Sequence, residues 1–158
     1  NNANDVFFDY LKSGNYIPRK SVETIANAMD VGAPSNFARI LDLYQNSHKG
    51  ISEIISGYSY SDEKIKEIVE KVYKQTGYLC DPHGACAYEA LNEFLAPNQT
   101  GVFLETAHPA KFTNTVEEII GKGNLPMPEK LAAFLQGKKE SISVKNNYQN
   151  LKDILLLN

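Results

Sequence analysis

Two segments of this chain share one layout, and that layout restricts the folds open to it. Residues 77–88 and 101–112 each begin with a short apolar run, continue with small and polar residues, and end in a helix-like pattern. An apolar run bounded in this way predicts a buried strand that leads directly into a helix. The polar residues after each run would then lie at the carboxyl edge of a parallel sheet, where α/β folds bind ligands.

Helical patterns account for most of the remaining chain. We expect helices near residues 5–14, 35–44, 61–76, 84–95, 110–120, 128–137 and 148–155, and strands at 78–81, 102–105 and, at an edge, 142–144. Residues 15–34 fit either a helix or an extended loop. The predicted fold is therefore helix-rich α/β, with a small parallel sheet of two or three strands flanked by helices and a right-handed crossover. A sheet this small would be an incomplete part of a larger domain, with its missing strands upstream and apolar faces available for self-association.

Composition excludes several classes of function. The formal net charge of −3 offers no basic surface for nucleic acid. No stretch approaches the roughly 20 apolar residues of a membrane-spanning helix. Cys80 and Cys86 match neither a zinc motif nor a disulfide framework, so we expect no metal site and, by default, a reduced cytoplasmic setting.

Four motifs, in a fixed order along residues 2–112, identify a family. They are Asn2–Val6, Asn27–Phe37, Asp81-Pro82-His83 and Thr106–Phe112. Together they resemble the C-terminal part of threonine synthase, a pyridoxal-phosphate enzyme of the tryptophan-synthase-β fold group. The resemblance implies that the full-length enzyme converts O-phospho-L-homoserine and water to L-threonine and phosphate.

The same resemblance implies that residues 1–158 are a single C-terminal portion without catalytic residues of their own. In the family, the Schiff-base lysine and the cofactor-phosphate loop lie in the N-terminal half, and neither motif occurs in this chain. Lys111 belongs to a different motif and is not that lysine. We therefore expect the chain to be inactive alone and to have the missing N-terminal half as its partner.

Thr106 is the predicted cofactor-binding residue. In the family that this sequence resembles, a Ser or Thr at the match of Thr106 bonds the pyridine nitrogen of pyridoxal phosphate. A neutral hydroxyl would leave that nitrogen largely unprotonated, whereas a carboxylate would draw more electron density into the ring. Local sequence alone favours a different role for Thr106, as the cap of the helix that follows it, and only the family resemblance reverses this.

Further polar residues are expected near the amino-acid substrate. Each also has a local explanation as a helix cap, a turn residue or a backbone contact. The expected substrate-pocket residues are His83, Asn4, Asp5, Asn27, Asp30 and His108.

Two other functions remain open at this stage. One is a different pyridoxal-phosphate lyase or synthase of the same fold group. The other is a non-catalytic, stand-alone domain that acts through exposed apolar faces.

Overall fold

The structure is a computed structural model, and it describes residues 1–156. The chain divides into two compact units, Asn1–Pro126 and the part that begins at Met127. The helices of the first unit are α1 (Val6–Ser13), α2 (Phe37–Leu43), α3 (His48–Ile54), α4 (Asp62–Thr76), α5 (Pro82–Phe94) and α6 (Thr113–Ile120). Short 3₁₀ turns lie at Asn27–Met29 and Pro109–Phe112. The second unit contains α7 (Glu129–Gln136) and α8 (Tyr148–Leu156).

The predicted parallel sheet is wrong, because none of the described residues lies in a strand. An apolar segment becomes a strand only when its backbone pairs with a neighbour. No backbone hydrogen bond joins residues 78–81 to residues 102–105. The Asp81 N–H donates to the side chain of Glu105 instead. Val102 and Leu104 are 83% and 74% exposed. The predicted crossover and the edge strand at 142–144 are absent from residues 1–156 as well.

The helix predicted for residues 61–76 is confirmed and forms the main core with α5. The Ser61 side chain accepts a hydrogen bond from the Lys64 N–H at 3.3 Å, and Gly77 ends α4 with a φ of +73°. One face of α4 is fully buried: Ile65, Ile68, Val69 and Val72. Burying four such side chains contributes about 6–12 kcal/mol to folding before entropy is counted.

A second cluster joins α1, α2 and α3. Tyr10, Phe37 and Ile51 are its buried centre, and the Tyr10 and Phe37 rings meet edge to face at 4.7 Å. The sequence analysis predicted α1 and α2 but not α3, which is only seven residues long and contains Gly50. Ser47 caps α3 by accepting from the Gly50 N–H at 3.1 Å.

The part from Met127 onward has no fully buried residue among those described. Its α7 and α8 fall where the sequence predicted helices. No helix within residues 1–156 is both long and apolar enough to cross a membrane.

Candidate functional site

The first unit has a half-open cavity of about 490 Å³ beside the amino end of α5. Apolar side chains and asparagines make up most of its wall, and His83 is its one histidine. Its wall includes Asn2, Asn4, Phe7, Ala26, Met29, Asn36, Phe37, Tyr58, His83 and Cys86. A mainly apolar pocket with a few converging polar groups is the usual form of a small-molecule site.

Asp81 and His83 form a hydrogen-bonded pair at the start of α5. Asp81 is the N-cap of the helix, and its Oδ1 accepts from the His83 N–H at 2.8 Å. The same oxygen lies 2.5 Å from His83 Nδ1. This hydrogen bond raises the pKa of His83, although partial burial opposes the shift. The imidazole also packs against the Phe112 ring at 5.0 Å, so both predicted junctions contribute to one corner of the site.

Glu105 joins this pair from the second junction. Its Oε1 accepts from the Asp81 N–H at 2.9 Å. Burial and the neighbouring Asp81 carboxyl raise the pKa of Glu105 to about 7. Burial opposes ionisation of Asp81 too, but hydrogen bonds from His83 and Glu105 lower the pKa of Asp81 to about 2. The pair therefore favours an ionised Asp81 beside a Glu105 that keeps its proton more readily than an ordinary glutamic acid.

Asn4 and Asp30 are brought together in a buried polar network. The Asp30 carboxylate accepts from Asn2 Nδ2 and Asn4 Nδ2 at 3.0 Å each. It also accepts from the Thr24 N–H at 3.0 Å and the Thr24 hydroxyl at 2.7 Å. These bonds connect the start of the chain to residues 22–30. Ala26 and Met29 of this loop line the cavity, and residues 22–26 are not helical.

Five predicted site residues do not line the cavity: Asp5, Asn27, Asp30, Thr106 and His108. Asp5 pairs with Arg19 and accepts from the Ser59 hydroxyl at 2.7 Å. Asn27 is exposed at the start of a 3₁₀ turn. His108 is exposed, and its Nδ1 accepts from the Ala110 N–H at 3.1 Å, which caps the following turn. Their roles in substrate binding stay predictions.

Thr106 is exposed and directly follows Glu105. Its hydroxyl makes no hydrogen bond to any residue of the described chain, and His108 caps the Pro109–Phe112 turn in its place. The local alternative, a threonine that caps the next helix, therefore has no support in this structure. A free hydroxyl remains available to a ligand.

Sequence reasoning missed Glu105 as a member of this region. Glu105 was assigned to a strand, and no local pattern links it to Asp81. In the sequence, only the glycine at position 84, near the start of a helix, hints at a close neighbour. In the structure, a side chain at this position would clash with the Glu105 carboxyl. No group of three or more His, Cys, Asp or Glu residues within residues 1–156 is placed to hold a metal ion.

Several known proteins with similar sequences and structures are threonine synthases. A family model described as "Threonine synthase, C-terminal" matches residues 84–155. Threonine synthase from Haemophilus influenzae is 42% identical over 155 residues, which cover 98% of this chain and 36% of that protein. The chain thus spans little more than a third of the relatives that it matches.

Solved structures agree with this match. Threonine synthase from Escherichia coli aligns with a TM-score of 0.85 and 33% identity, over 99% of this chain and 36% of that one. Pyridoxal-phosphate-bound threonine synthase from Brucella melitensis aligns with a TM-score of 0.80 and 26% identity, over 98% and 38%. The resemblance predicted from four motifs is confirmed: over nearly its whole length, this chain is similar to the C-terminal part of threonine synthases.

Proposed function

We propose that this chain is the C-terminal part of a pyridoxal-phosphate-dependent threonine synthase. The whole enzyme would convert O-phospho-L-homoserine and water to L-threonine and phosphate. The observation that carries the proposal is the 42% identity to a threonine synthase across 98% of the chain. In that enzyme the chain forms one wall of the site, and its partner is the N-terminal part that bears the reactive lysine. A cytoplasmic location is part of the same proposal.

The free hydroxyl of Thr106 fits a role toward the cofactor. When bound, pyridoxal phosphate supplies a ring that accepts electron density from the substrate carbons. Thr106 is exposed and makes no hydrogen bond within residues 1–156, so it can bond the ring nitrogen without losing another partner. A hydroxyl carries no charge at neutral pH and therefore does not hold a proton on that nitrogen.

His83 fits a role toward an anionic substrate. Its raised pKa favours the imidazolium form, and it lies in the wall of the cavity with the amides of Asn2 and Asn4. A cation and neutral amides suit a ligand that carries phosphate and carboxylate groups. Asp81 Oδ1 is hydrogen-bonded to Nδ1 of the His83 ring, and His83, not Asp81, lines the cavity.

A chimera tests the proposal in cells. The C-terminal 36% of the Haemophilus influenzae enzyme is replaced by this chain and expressed in a bacterium that lacks threonine synthase. We expect growth without added threonine. This chain alone, and the truncated relative alone, are the matched controls and should not restore growth. A chimera that is soluble and binds pyridoxal phosphate, yet leaves the cells dependent on threonine, would contradict the proposal.

A further inference from the structure

Glu105, Asp81 and His83 form a chain of contacts that ends at the cavity. The Asp81 side chain is completely buried and touches His83 Nδ1 at 2.5 Å. On its other side, the Asp81 N–H donates to Glu105 Oε1 at 2.9 Å. Glu105 is therefore in contact with the group that holds the histidine, although it does not line the cavity itself.

Two oxygens in this cluster are buried without a donor: Asp81 Oδ2 and Glu105 Oε2. Two ionised carboxylates in contact repel each other, and a buried acceptor without a donor is costly. One proton between the carboxyls removes both problems, because Glu105 then donates to Asp81. Asp81 keeps its charge and uses the other oxygen for His83.

The contact of His83 with Asp81 Oδ1 keeps Asp81 ionised, so the shared proton lies on Glu105. Gly84 leaves room for the Glu105 carboxyl against the first turn of α5, since a Cβ there would lie 2.5 Å from the Glu105 Cδ. No lysine or arginine is paired with either carboxyl among the described residues. The other titratable groups that interact electrostatically with this cluster are Asp30, Tyr78, Cys80 and Cys86.

We propose that Glu105 is a positioning residue that acts through Asp81 to fix the ring orientation and protonation of His83. His83 is the member of this cluster that lines the cavity, where its imidazolium charge would attract an oxyanion such as a phosphate ester. The identity of that ligand rests on the proposed function. The positioning role rests on the contacts within this chain alone.

The competing explanation is that His83 only stabilises the fold and does not contact a ligand. Its Nε2 is buried and has no hydrogen-bond partner within residues 1–156, but the Ala26 carbonyl is near enough to help raise the pKa of His83. If Nε2 donated a hydrogen bond to the Ala26 carbonyl, substitutions at Glu105 would alter the stability of the chain without altering enzyme kinetics. The two explanations therefore differ in what Glu105 variants do to the site.

Imidazole NMR of the chain tests the positioning role. The ¹⁵N shifts of His83, assigned with a His83→Gln variant, report its tautomer and titration between about pH 5 and 8. We expect Nδ1 to stay protonated in the wild type and in Glu105→Gln, whose amide can still donate to Asp81. In Glu105→Ala we expect a mixture of neutral tautomers and a shifted titration. Glu89→Gln, a buried carboxylate that pairs with Lys64 and Lys71 instead, is the control and should change nothing at His83.

A wild-type-like His83 titration and tautomer in Glu105→Ala would overturn the proposal. If Glu105→Ala does not fold, the proposal depends on Glu105→Gln. Loss of the fixed Nδ1–H in that variant would then overturn it.

Kinetics of the chimera test the role of His83 toward the substrate. Removing one orienting hydrogen bond should raise KM for O-phospho-L-homoserine by about 2- to 10-fold in Glu105→Ala. Glu105→Gln should restore most of that loss. An unchanged KM and pH profile in Glu105→Ala would show that His83 is only structural. A chimera without any turnover would refute the proposed function and leave the NMR result to judge the positioning role.

Discussion

Substituting Gly84 by alanine tests whether the Glu105 carboxyl lies against the first turn of α5. Gly84 is the third residue of that helix, and its backbone is helical. A Cβ at this position would lie 2.5 Å from Glu105 Cδ and Oε1, and closer still to Oε2. Contacts this short force the carboxyl away from Asp81.

Two opposing effects set the size of the change. Alanine is favoured over glycine in a helix by about 1 kcal/mol. Overpacking of a well-packed site costs about 1–3 kcal/mol. Gly84→Ala should therefore lower the free energy of unfolding by about 0–2 kcal/mol.

A double-mutant cycle with Glu105→Ala separates these effects. In the Glu105→Ala background the clash is gone, and Gly84→Ala should stabilise by up to about 1 kcal/mol. The helix-propensity effect cancels in the cycle, so the coupling energy equals the overpacking cost of about 1–3 kcal/mol. Urea unfolding followed by circular dichroism gives all four free energies.

Gly50→Ala is the matched control. Gly50 is also the third residue of its helix, and its nearest contact for a Cβ is the Ser47 hydroxyl at 3.3 Å. Its effect should be the same with and without Glu105. If Gly84→Ala proves equally stabilising in both backgrounds, the close approach of Glu105 to α5 is refuted.

Three other variants test separate parts of the account. In the chimera, Thr106→Ala should lower kcat for threonine formation by about 10-fold. This corresponds to the loss of one hydrogen bond at the upper end of the usual range. Thr106→Ser, which keeps the hydroxyl, should retain most activity. The pKa of Glu105 is about 7 in the folded chain against 4.5 ordinarily, so its stabilising effect is complete below about pH 4.5 and is lost as the pH rises through 7. Urea titrations should therefore show Glu105→Gln gaining stability relative to wild type between about pH 5 and pH 8, whereas an equal difference at both values would contradict the shared proton. Ser61→Ala should destabilise the chain by about 1 kcal/mol through loss of the α4 cap, and Ser52→Ala, on the exposed face of α3, should cost less.

Helices were predictable because their signals are local. Ser61 and Gly77 mark both ends of α4, and the apolar residues between them recur at helical spacing. The α3 helix was missed because seven residues carry too little periodicity to identify it. The sheet was wrong because residues 78–81 and 102–105 have strand-like composition, but a strand also requires a partner backbone, which local sequence does not specify.

The candidate site was predictable in part. The motif around Asp81-Pro82-His83 identified a histidine that the structure places in the cavity wall. Asn4 and Asp30 were also named, but their mutual hydrogen bond spans 26 residues of sequence and could not be derived from spacing. Glu105 was missed for the same reason, since its contact with Asp81 depends on the tertiary fold.

Direct measurement of products by the purified chimera tests the central claim. Supplied with pyridoxal phosphate and O-phospho-L-homoserine, the chimera should release phosphate and L-threonine in equal amounts, with a kcat within about 10-fold of the parent enzyme. The chain alone should release neither. A folded chimera that binds the cofactor but forms no threonine, or releases phosphate without threonine, would contradict the claim that this chain is part of a threonine synthase.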